Sequence, residues 1–254
     1  MKISLIQTAL AWENAAENRK QFTALLGSIT DTDLIVLPEM FATGFSMNPE
    51  AVAETMDGPT VQWMVETAMA KNVAITGSLV IEEEGRYYNR LFFVYPDGTI
   101  KTYNKRHLFT YAGEDKFYTP GTEKLIVDYK GWKICPLVCY DLRFPVFSRN
   151  TEGYDVLLYV ANWPQVRTTA WDTLLRARAI ENLSYTIGVN RTGEDGNGHG
   201  YTGHSQALDA LGNYLLEPTE ANGVFTVVLD KEALAATRKR FSFLDDRDDF
   251  EIRY

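Results

Sequence analysis

Cysteine and histidine are scarce in this chain, and it has neither long apolar runs nor an excess of positive charge. Two Cys and three His among 254 residues exclude a disulfide framework, and none of them has the spacing of a zinc site. No apolar run reaches the ~18 residues of a transmembrane helix. Residues 1–10 are too short and too polar for a secretory signal. We therefore expect a soluble, cytoplasmic protein that binds no metal.

The charge balance excludes a second group of functions. A formal net charge of −9 and a pI near 4.9 disfavour nucleic acid and anionic membranes as partners, because both select basic surfaces. The hydrophobic fraction of 45% and the charged fraction of 23% are typical of a globular chain with a substantial core. These values are compatible with a protein that acts on a small molecule.

Strand and helix patterns alternate along the chain, which indicates an α/β protein. Strands are predicted at residues 2–7, 33–37, 73–81, 87–95, 99–103, 125–128, 132–138, 154–160, 184–190, 206–209, 213–216 and 223–229. Helices are predicted at residues 13–29, 59–71, 170–182 and 231–240, and a glycine-rich loop at 193–203. Since no linker or repeat interrupts the pattern, we expect one domain over residues 1–254, built as a layered sandwich, with an acidic and aromatic tail at 241–254. This tail is expected either to pack on a neighbouring molecule or to fray.

Cys139 stands where a buried strand gives way to a turn and a short helix. Backbone N–H groups at a helix N-terminus favour a thiolate, so the position suits a nucleophile. Many free cysteines are inert core residues, however, and we expect Cys135 to be one of them. Position alone makes Cys139 a candidate.

Three further charged residues are candidates for catalysis. Glu39 follows the strand at 33–37, at the sheet edge where α/β folds place their sites, and residues 40–45 are unusually apolar for a solvated loop. Lys105 lies among aromatic residues that would bury part of its stem. Glu114, with Asp115 beside it, lies in a loop before Cys139. Each of these residues, taken alone, is also typical of a solvated surface.

The candidates gain weight together, because LPE at 37–39, KRHLF at 105–109 and CYDLRFP at 139–145 resemble the three motifs of the nitrilase superfamily of carbon–nitrogen hydrolases, in the same order. The resemblance implies that Glu39, Lys105 and Cys139 form the catalytic set. It also implies that Glu114 is the second glutamate, with Asp115 as a competitor. It further implies an α-β-β-α sandwich that dimerises into four layers, and a mechanism that needs no cofactor.

Within the superfamily, PEMFATGFSM, YNKRHLF and ANWP are most similar to the omega-amidase branch. That similarity implies hydrolysis of the terminal amide of 2-oxoglutaramate and 2-oxosuccinamate through a cysteine thioester. Another amidase, a carbamoylase and a nitrilase remain alternatives, as does a catalytically silent binding or assembly module. The expected partners are a small amide substrate and a second copy of this chain.

Substrate contacts are assigned as follows. The Tyr140 N–H is expected to bind the oxyanion, Phe41 and Trp163 to wall the pocket, and Arg167 to supply a cation for an acidic substrate. Arg143 could bind a carboxylate, but a structural ion pair or hydrogen bond that holds the turn is favoured.

Two other hydrolase types fit the sequence less well. GHSQA at residues 203–207 faintly resembles the nucleophile elbow of a serine hydrolase, but a strand pattern follows it where a helix is expected. A papain-like enzyme would require His107, His199 or His204 beside Cys139. The last two are expected to be solvated in the glycine-rich loop.

Overall fold

Two six-stranded β-sheets form the centre of the structure, a computed structural model in which residues 1–252 are described. The first sheet contains, in spatial order, β14 (Gly223–Val228), β1 (Lys2–Gln7), β2 (Leu34–Val36), β3 (Ala74–Glu83), β4 (Arg86–Val94) and β5 (Ile100–Asn104). The second contains β13 (Tyr214–Thr219), β12 (Ser205–Leu208), β9 (Tyr185–Val189), β8 (Val156–Val160), β7 (Trp132–Val138) and β6 (Val127–Tyr129). A separate hairpin joins β10 (Thr192–Glu194) and β11 (Gly200–Thr202).

Each sheet has a parallel centre and antiparallel edges. Strands β1, β2 and β3 run parallel in the first sheet, and β7, β8 and β9 run parallel in the second. These strands are almost wholly buried, as expected for parallel strands covered on both faces. Glu39 follows β2 and Cys139 follows β7, so both lie at carboxyl edges.

Helices cover the outer faces of the two sheets. α1 (Ala15–Gly27) and α3 (Pro59–Lys71) share a hydrophobic cluster with one face of the first sheet. The other face shares a cluster with the second sheet and with α5 (Thr168–Asn182). The layers are therefore α-β-β-α. The remaining helices are α2 (Pro49–Val52), α4 (Pro145–Ser148) and α6 (Lys231–Arg240). No helix in the described part of the chain has the length and apolar character needed to cross a bilayer.

Local sequence explains where the helices begin and end. The Asn14 side chain accepts a hydrogen bond from the Glu17 N–H and caps α1, satisfying a donor that the helix itself leaves free. α3 begins at Pro59, whose fixed φ suits the first turn. It ends before Asn72, which adopts a left-handed φ of 53°. The predicted bounds of α3, α6, β1 and β7 are confirmed.

One expectation needs correction. The stretch at 193–203, predicted as a loop, contains most of the β10–β11 hairpin. Within the predicted tail, Ile252 packs against the main hydrophobic core of its own chain. Residues 253 and 254 of the predicted tail lie outside the described residues.

Gly188 is a sensitive point in the packing of α5 on the second sheet. A Cβ at this position would lie 2.5 Å from Leu175 Cδ1 and 2.6 Å from Trp171 Cζ2. Overpacking of this kind costs about 1–3 kcal/mol, so Gly188→Ala should lower the free energy of unfolding by that amount in urea titrations. Gly27→Ala is the control, because no atom lies within 4 Å of its added Cβ. An unchanged free energy of unfolding for Gly188→Ala would contradict the packing described.

Candidate active site

The Lys105 ammonium is buried between two carboxylates. Its Nζ lies 3.0 Å from Glu39 Oε1 and 2.9 Å from Glu114 Oε2, and none of the three side chains reaches solvent. Glu39 comes from the end of β2, Lys105 follows β5, and Glu114 begins a short 3-10 turn, Glu114–Lys116. Asp115 is exposed. The structure therefore places Glu114, and not Asp115, against the lysine.

Further donors compensate the two carboxylates for their loss of water. Asn89 Nδ2 donates to Glu39 Oε1 at 2.8 Å and to Glu114 Oε1 at 3.3 Å. The Asn162 N–H donates to Glu39 Oε2 at 2.8 Å, and the Phe109 N–H to Glu114 Oε2 at 2.6 Å. Buried charges persist only when paired and hydrogen-bonded in this way. Since two carboxylates face one ammonium, the cluster carries a net negative charge when all three groups are ionised.

Burial and mutual attraction act on these groups in opposite directions. Burial alone would lower the pKa of Lys105, but the carboxylates of Glu114 and Glu39 outweigh it and raise that pKa above its usual range. The lysine is therefore a permanent cation. Burial raises the pKa of Glu114; Glu39 adds to this shift and Lys105 opposes it.

Cys139 lies on a strained turn directly after β7. It begins the 3-10 turn Cys139–Arg143 with a φ of +43°, a left-handed conformation that is uncommon for residues other than glycine. The residue is 9% exposed, and its Sγ lies 3.9 Å from the Asn162 carbonyl oxygen. The turn directs the sulfur to the cavity that Lys105 also lines.

The resting sulfur is a neutral thiol, although its position at the start of a helical turn favours a thiolate. Burial, the charge of Glu39 and a hydrogen bond to that carboxylate raise the pKa of Cys139 well above its usual range, although Lys105 opposes the shift. The short turn does not overcome this burial. A neutral thiol needs a base before it can act as a nucleophile, and Glu39 is the carboxylate whose charge acts most strongly on the sulfur.

The cavity above Cys139 has a volume of about 680 Å³. Its walls include these residues from loops of both sheets and from the β10–β11 hairpin: Trp12, Glu13, Phe45, Met47, Asn48, Phe109, Tyr111, Tyr140, Arg143, Asn162, Trp163, Arg167, Asp195, Asn197, His199 and Tyr201. The predicted contact residues Tyr140, Trp163 and Arg167 are among them. No three His, Cys, Asp or Glu side chains within residues 1–252 are grouped as a metal site.

Phe41 is not a wall residue, and that prediction is wrong. Met40 adopts a φ of 41°, and after this turn Phe41 packs in the core against Phe22, with ring centroids 5.4 Å apart. Phe45, four residues later, takes its place in the cavity. Its ring centroid lies 5.1 Å from Lys105 Nζ.

Two guanidinium groups line the cavity. Arg143 lies over the Trp163 ring at 5.0 Å from the centroid, and Arg167 over the Phe109 ring at 5.1 Å. Within residues 1–252, Arg143 forms no ion pair and is exposed. The favoured structural ion pair of Arg143 is therefore wrong, and Asp141 pairs with His107 instead.

The residues of the rival hydrolases are placed elsewhere. Ser205 is fully buried in β12 and hydrogen-bonds with the backbone of Asn190. His107 stacks on Phe144 with ring centroids 3.7 Å apart, and His204 pairs with Asp172. His199 does reach the cavity, but it is exposed at the wall.

Sequence reasoning missed Asn89 and Asn162. Asn89 lies inside β4, where a buried polar residue is the only signal and does not point to a catalytic partner. Asn162 stands at the end of β8, the same sheet edge as Cys139. Because carboxyl ends of parallel strands meet at one edge, that position could have indicated it.

Comparison with known families agrees with the geometry. A family model described as "Carbon-nitrogen hydrolase" matches residues 2–239. The chain belongs to the carbon–nitrogen hydrolase family.

Individual relatives extend over the whole chain. It is 47% identical to "Omega-amidase YafV" of Yersinia enterocolitica, covering 98% of each chain, and 32% identical to "2-oxoglutaramate amidase" of Bacillus subtilis, covering 96% of each. The crystal structure of XC1258 from Xanthomonas campestris, which carries an arsenic adduct in its active site, matches with a TM-score of 0.98 and 45% identity. That match covers 100% of this chain and 99% of the other.

The neutral thiol predicts an unusual pH dependence of alkylation. The rate of Cys139 alkylation by iodoacetamide should still be rising at pH 9, because the raised pKa keeps the thiolate fraction small at lower pH. Glu39→Gln should move the curve to lower pH, since the carboxylate charge that favours the protonated thiol is removed. Mass spectrometry of the adduct measures the rate.

Cys139→Ala is the control for this measurement. It should not react at all, because Cys135 is fully buried and burial raises the pKa of that thiol. A wild-type rate that reaches its plateau below pH 8 would contradict the neutral thiol.

Proposed function

We propose that this protein hydrolyses the terminal amide of small 2-oxo dicarboxylic acid monoamides, 2-oxoglutaramate and 2-oxosuccinamate, releasing ammonia through a thioester on Cys139. One observation carries the proposal. A thiol with a buried Glu-Lys-Glu cluster beside it opens into a cavity that also holds two guanidinium groups.

In the first half-reaction, Glu39 takes the proton from Cys139 and the sulfur attacks the amide carbon. The carbonyl oxygen becomes an oxyanion, which the Lys105 ammonium and the Tyr140 N–H stabilise. The C–N bond then breaks, and the protonated Glu39 gives its proton to the departing nitrogen. Ammonia leaves, and the acyl group remains on the sulfur.

In the second half-reaction, Glu39 takes a proton from water, and the hydroxide formed attacks the thioester carbon. The C–S bond breaks, the dicarboxylic acid leaves, and the sulfur regains its proton from Glu39. Glu114 holds Lys105 in place through both halves with two hydrogen bonds, of 3.0 and 2.9 Å. It also keeps the lysine charged, through the pKa shift described above.

The distal carboxylate of the substrate requires a cation, and we assign Arg143 as its main ligand. Arg143 lies in the same turn as Cys139, lines the cavity and forms no ion pair within residues 1–252. Guanidinium groups bind carboxylates with two parallel hydrogen bonds. Arg167 adds a second positive charge to the same cavity.

The names of the relatives support this substrate class, since omega-amidases and a 2-oxoglutaramate amidase match over nearly the whole chain. We further propose that residues 1–254 act as one domain in a cytoplasmic homodimer. We place the dimer contact on α4 and α5, where Val146 and Ile180 are apolar and exposed.

A panel of amides tests the function. Ammonia release should be faster from 2-oxoglutaramate than from succinamate, glutamine, N-carbamoyl amino acids or a simple nitrile. Cys139→Ala should abolish turnover. Lys105→Met should lower kcat by about 10²–10³-fold, because one oxyanion donor is lost.

Glu114→Gln serves as a graded comparison in the same assay. It should slow turnover without abolishing it, because the amide still accepts a hydrogen bond from Lys105 but no longer offsets its charge. Faster turnover of a carbamoyl substrate than of 2-oxoglutaramate would overturn the substrate assignment. No turnover of any amide would overturn the enzyme assignment.

Arg143→Met tests the recognition of the carboxylate. KM for 2-oxoglutaramate should rise by about 10–100-fold, the loss expected for hydrogen bonds to a charged group. The kcat/KM for butyramide, which has no carboxylate, should not change. Arg176→Met is the matched control, because Arg176 also lies over an aromatic ring, that of Tyr214 at 4.5 Å, but outside the cavity. Equal losses on both substrates would contradict the role of Arg143.

A further inference from the structure

The Asp141 carboxylate is buried and accepts hydrogen bonds from four donors. Oδ2 accepts from the Tyr103 hydroxyl at 2.7 Å and from the Val138 N–H at 2.9 Å. Oδ1 accepts from the His107 N–H at 3.0 Å and from His107 Nδ1 at 2.7 Å. None of the carboxylate reaches solvent, and neither Asp141 nor Tyr103 or His107 lines the catalytic cavity.

These donors come from two separate parts of the catalytic machinery. Asp141 stands two residues after Cys139, and its bond to Val138 closes the turn on which the sulfur lies. Tyr103 stands two residues before Lys105, and His107 two residues after it. One carboxylate therefore binds the turn that follows β7 in the second sheet and, on both sides of Lys105, the segment 103–107 of the first sheet. We call residues 103–107 the lysine segment.

The lysine segment is itself folded around this contact. The Tyr103 hydroxyl donates to Asp141 and at the same time accepts a hydrogen bond from the Arg106 N–H at 3.0 Å. The His107 ring lies flat on the Phe144 ring, at an interplanar angle of 6°. The imidazole is thus fixed by stacking and by its bond to Asp141.

We propose that Asp141 is a positioning residue, which sets the place of the Cys139 sulfur relative to the Lys105 ammonium without touching the substrate. The inference rests on the function proposed above, in which these two groups act on the same carbonyl. Cys139 is held at a left-handed φ, so the turn needs contacts that fix its backbone. Asp141 provides them, because it lies in the same turn and binds Tyr103 and His107 beside the first sheet.

Asp141→Asn is the direct test, because it keeps the size of the side chain but replaces one acceptor oxygen with a donor. At least one of the N–H groups of Val138 and His107 then loses its partner. Steady-state kinetics with 2-oxoglutaramate should show kcat lower by about 10²-fold, the cost of a small misplacement of reacting groups, with KM nearly unchanged. The number of active sites is taken as the amount of folded protein, measured by circular dichroism after gel filtration, so misfolded protein does not count as slow enzyme.

Asp172→Asn is the matched control. Asp172 also pairs with a histidine, His204 at 3.0 Å, and accepts from Gln206 Nε2 at 2.7 Å, but it lies outside the cavity. Its kcat per active site should equal that of the wild type, even if its melting temperature falls by as much as that of Asp141→Asn.

Rescue by a conservative change separates positioning from general stability. His107→Leu removes the ring donor to Asp141 and should lower kcat, whereas His107→Asn keeps an N–H donor near the place of Nδ1 and should restore most of the loss. If Asp141→Asn does not fold, Tyr103→Phe takes its place, since it removes only the hydroxyl donor and should lower kcat with KM unchanged.

Different results would overturn the proposed function and the positioning role of Asp141. A wild-type enzyme without amidase activity would overturn the function. An active wild type with unchanged kcat per active site in Asp141→Asn, or in both His107→Leu and Tyr103→Phe if Asp141→Asn does not fold, would overturn the positioning role alone. A loss in Asp172→Asn equal to that in Asp141→Asn would also overturn it.

Discussion

The buried ammonium of Lys105, shared between Glu39 and Glu114, is the interaction on which the rest of the site depends. An isolated lysine in this place would lose its charge, because burial disfavours the ion. The two carboxylates reverse that effect. They themselves remain stable in the interior because Asn89, Asn162 and Phe109 donate to them. The protein thereby holds a fixed positive charge beside a thiol, in a region from which water is largely excluded.

The same cluster explains why the nucleophile is kept neutral at rest. Burial disfavours a thiolate at Cys139, and the charge of Glu39 beside it disfavours the thiolate further. The proton therefore stays on Cys139 at rest; in the mechanism proposed above, Glu39 takes it as the sulfur attacks. A site of this kind needs no stored thiolate, and its reactivity depends on correct placement of acid, amine and sulfur.

Placement depends in turn on the contact between the two sheets. Glu39 and Lys105 follow strands of the first sheet, and Cys139 follows a strand of the second. Two polar contacts join the sheets beside the site. Asn162 binds Glu39 through its N–H and its side-chain amide, at 2.8 and 2.5 Å, and Asp141 binds the lysine segment. Hydrophobic packing brings the two sheets together, and these polar contacts then fix the positions of Glu39, Lys105 and Cys139 relative to one another.

The sequence was sufficient to predict the layered α/β fold and the candidates Glu39, Lys105, Cys139 and Glu114, because motif order and strand ends carry that information. It did not predict which apolar residue faces the cavity. The turn at Met40 directs Phe41 into the core, and a positive φ at a methionine leaves no mark in the pattern. It also misjudged Arg143, because the group that this guanidinium contacts, the Trp163 ring, lies twenty positions away in the chain.

Contacts between segments that are distant in the chain could not be predicted either, because they depend on how the strands come together in the fold. Asn89 lies in the middle of β4. Its role as a donor to Glu39 and Glu114 follows only from the folded position of that strand beside both carboxylates. The protonation state of Cys139 likewise follows from its burial and from Glu39, one hundred positions earlier in the chain. Neither can be inferred from the residues on each side of the cysteine.

Acid quench of the enzyme during turnover, followed by intact-protein and peptide mass spectrometry, shows whether the substrate acyl group is carried on Cys139. We expect a mass increase equal to the acyl group of the amide substrate, located on Cys139 and removed by hydroxylamine, with no such adduct in Cys139→Ala. An adduct on another residue, or full turnover by Cys139→Ala, would contradict this expectation.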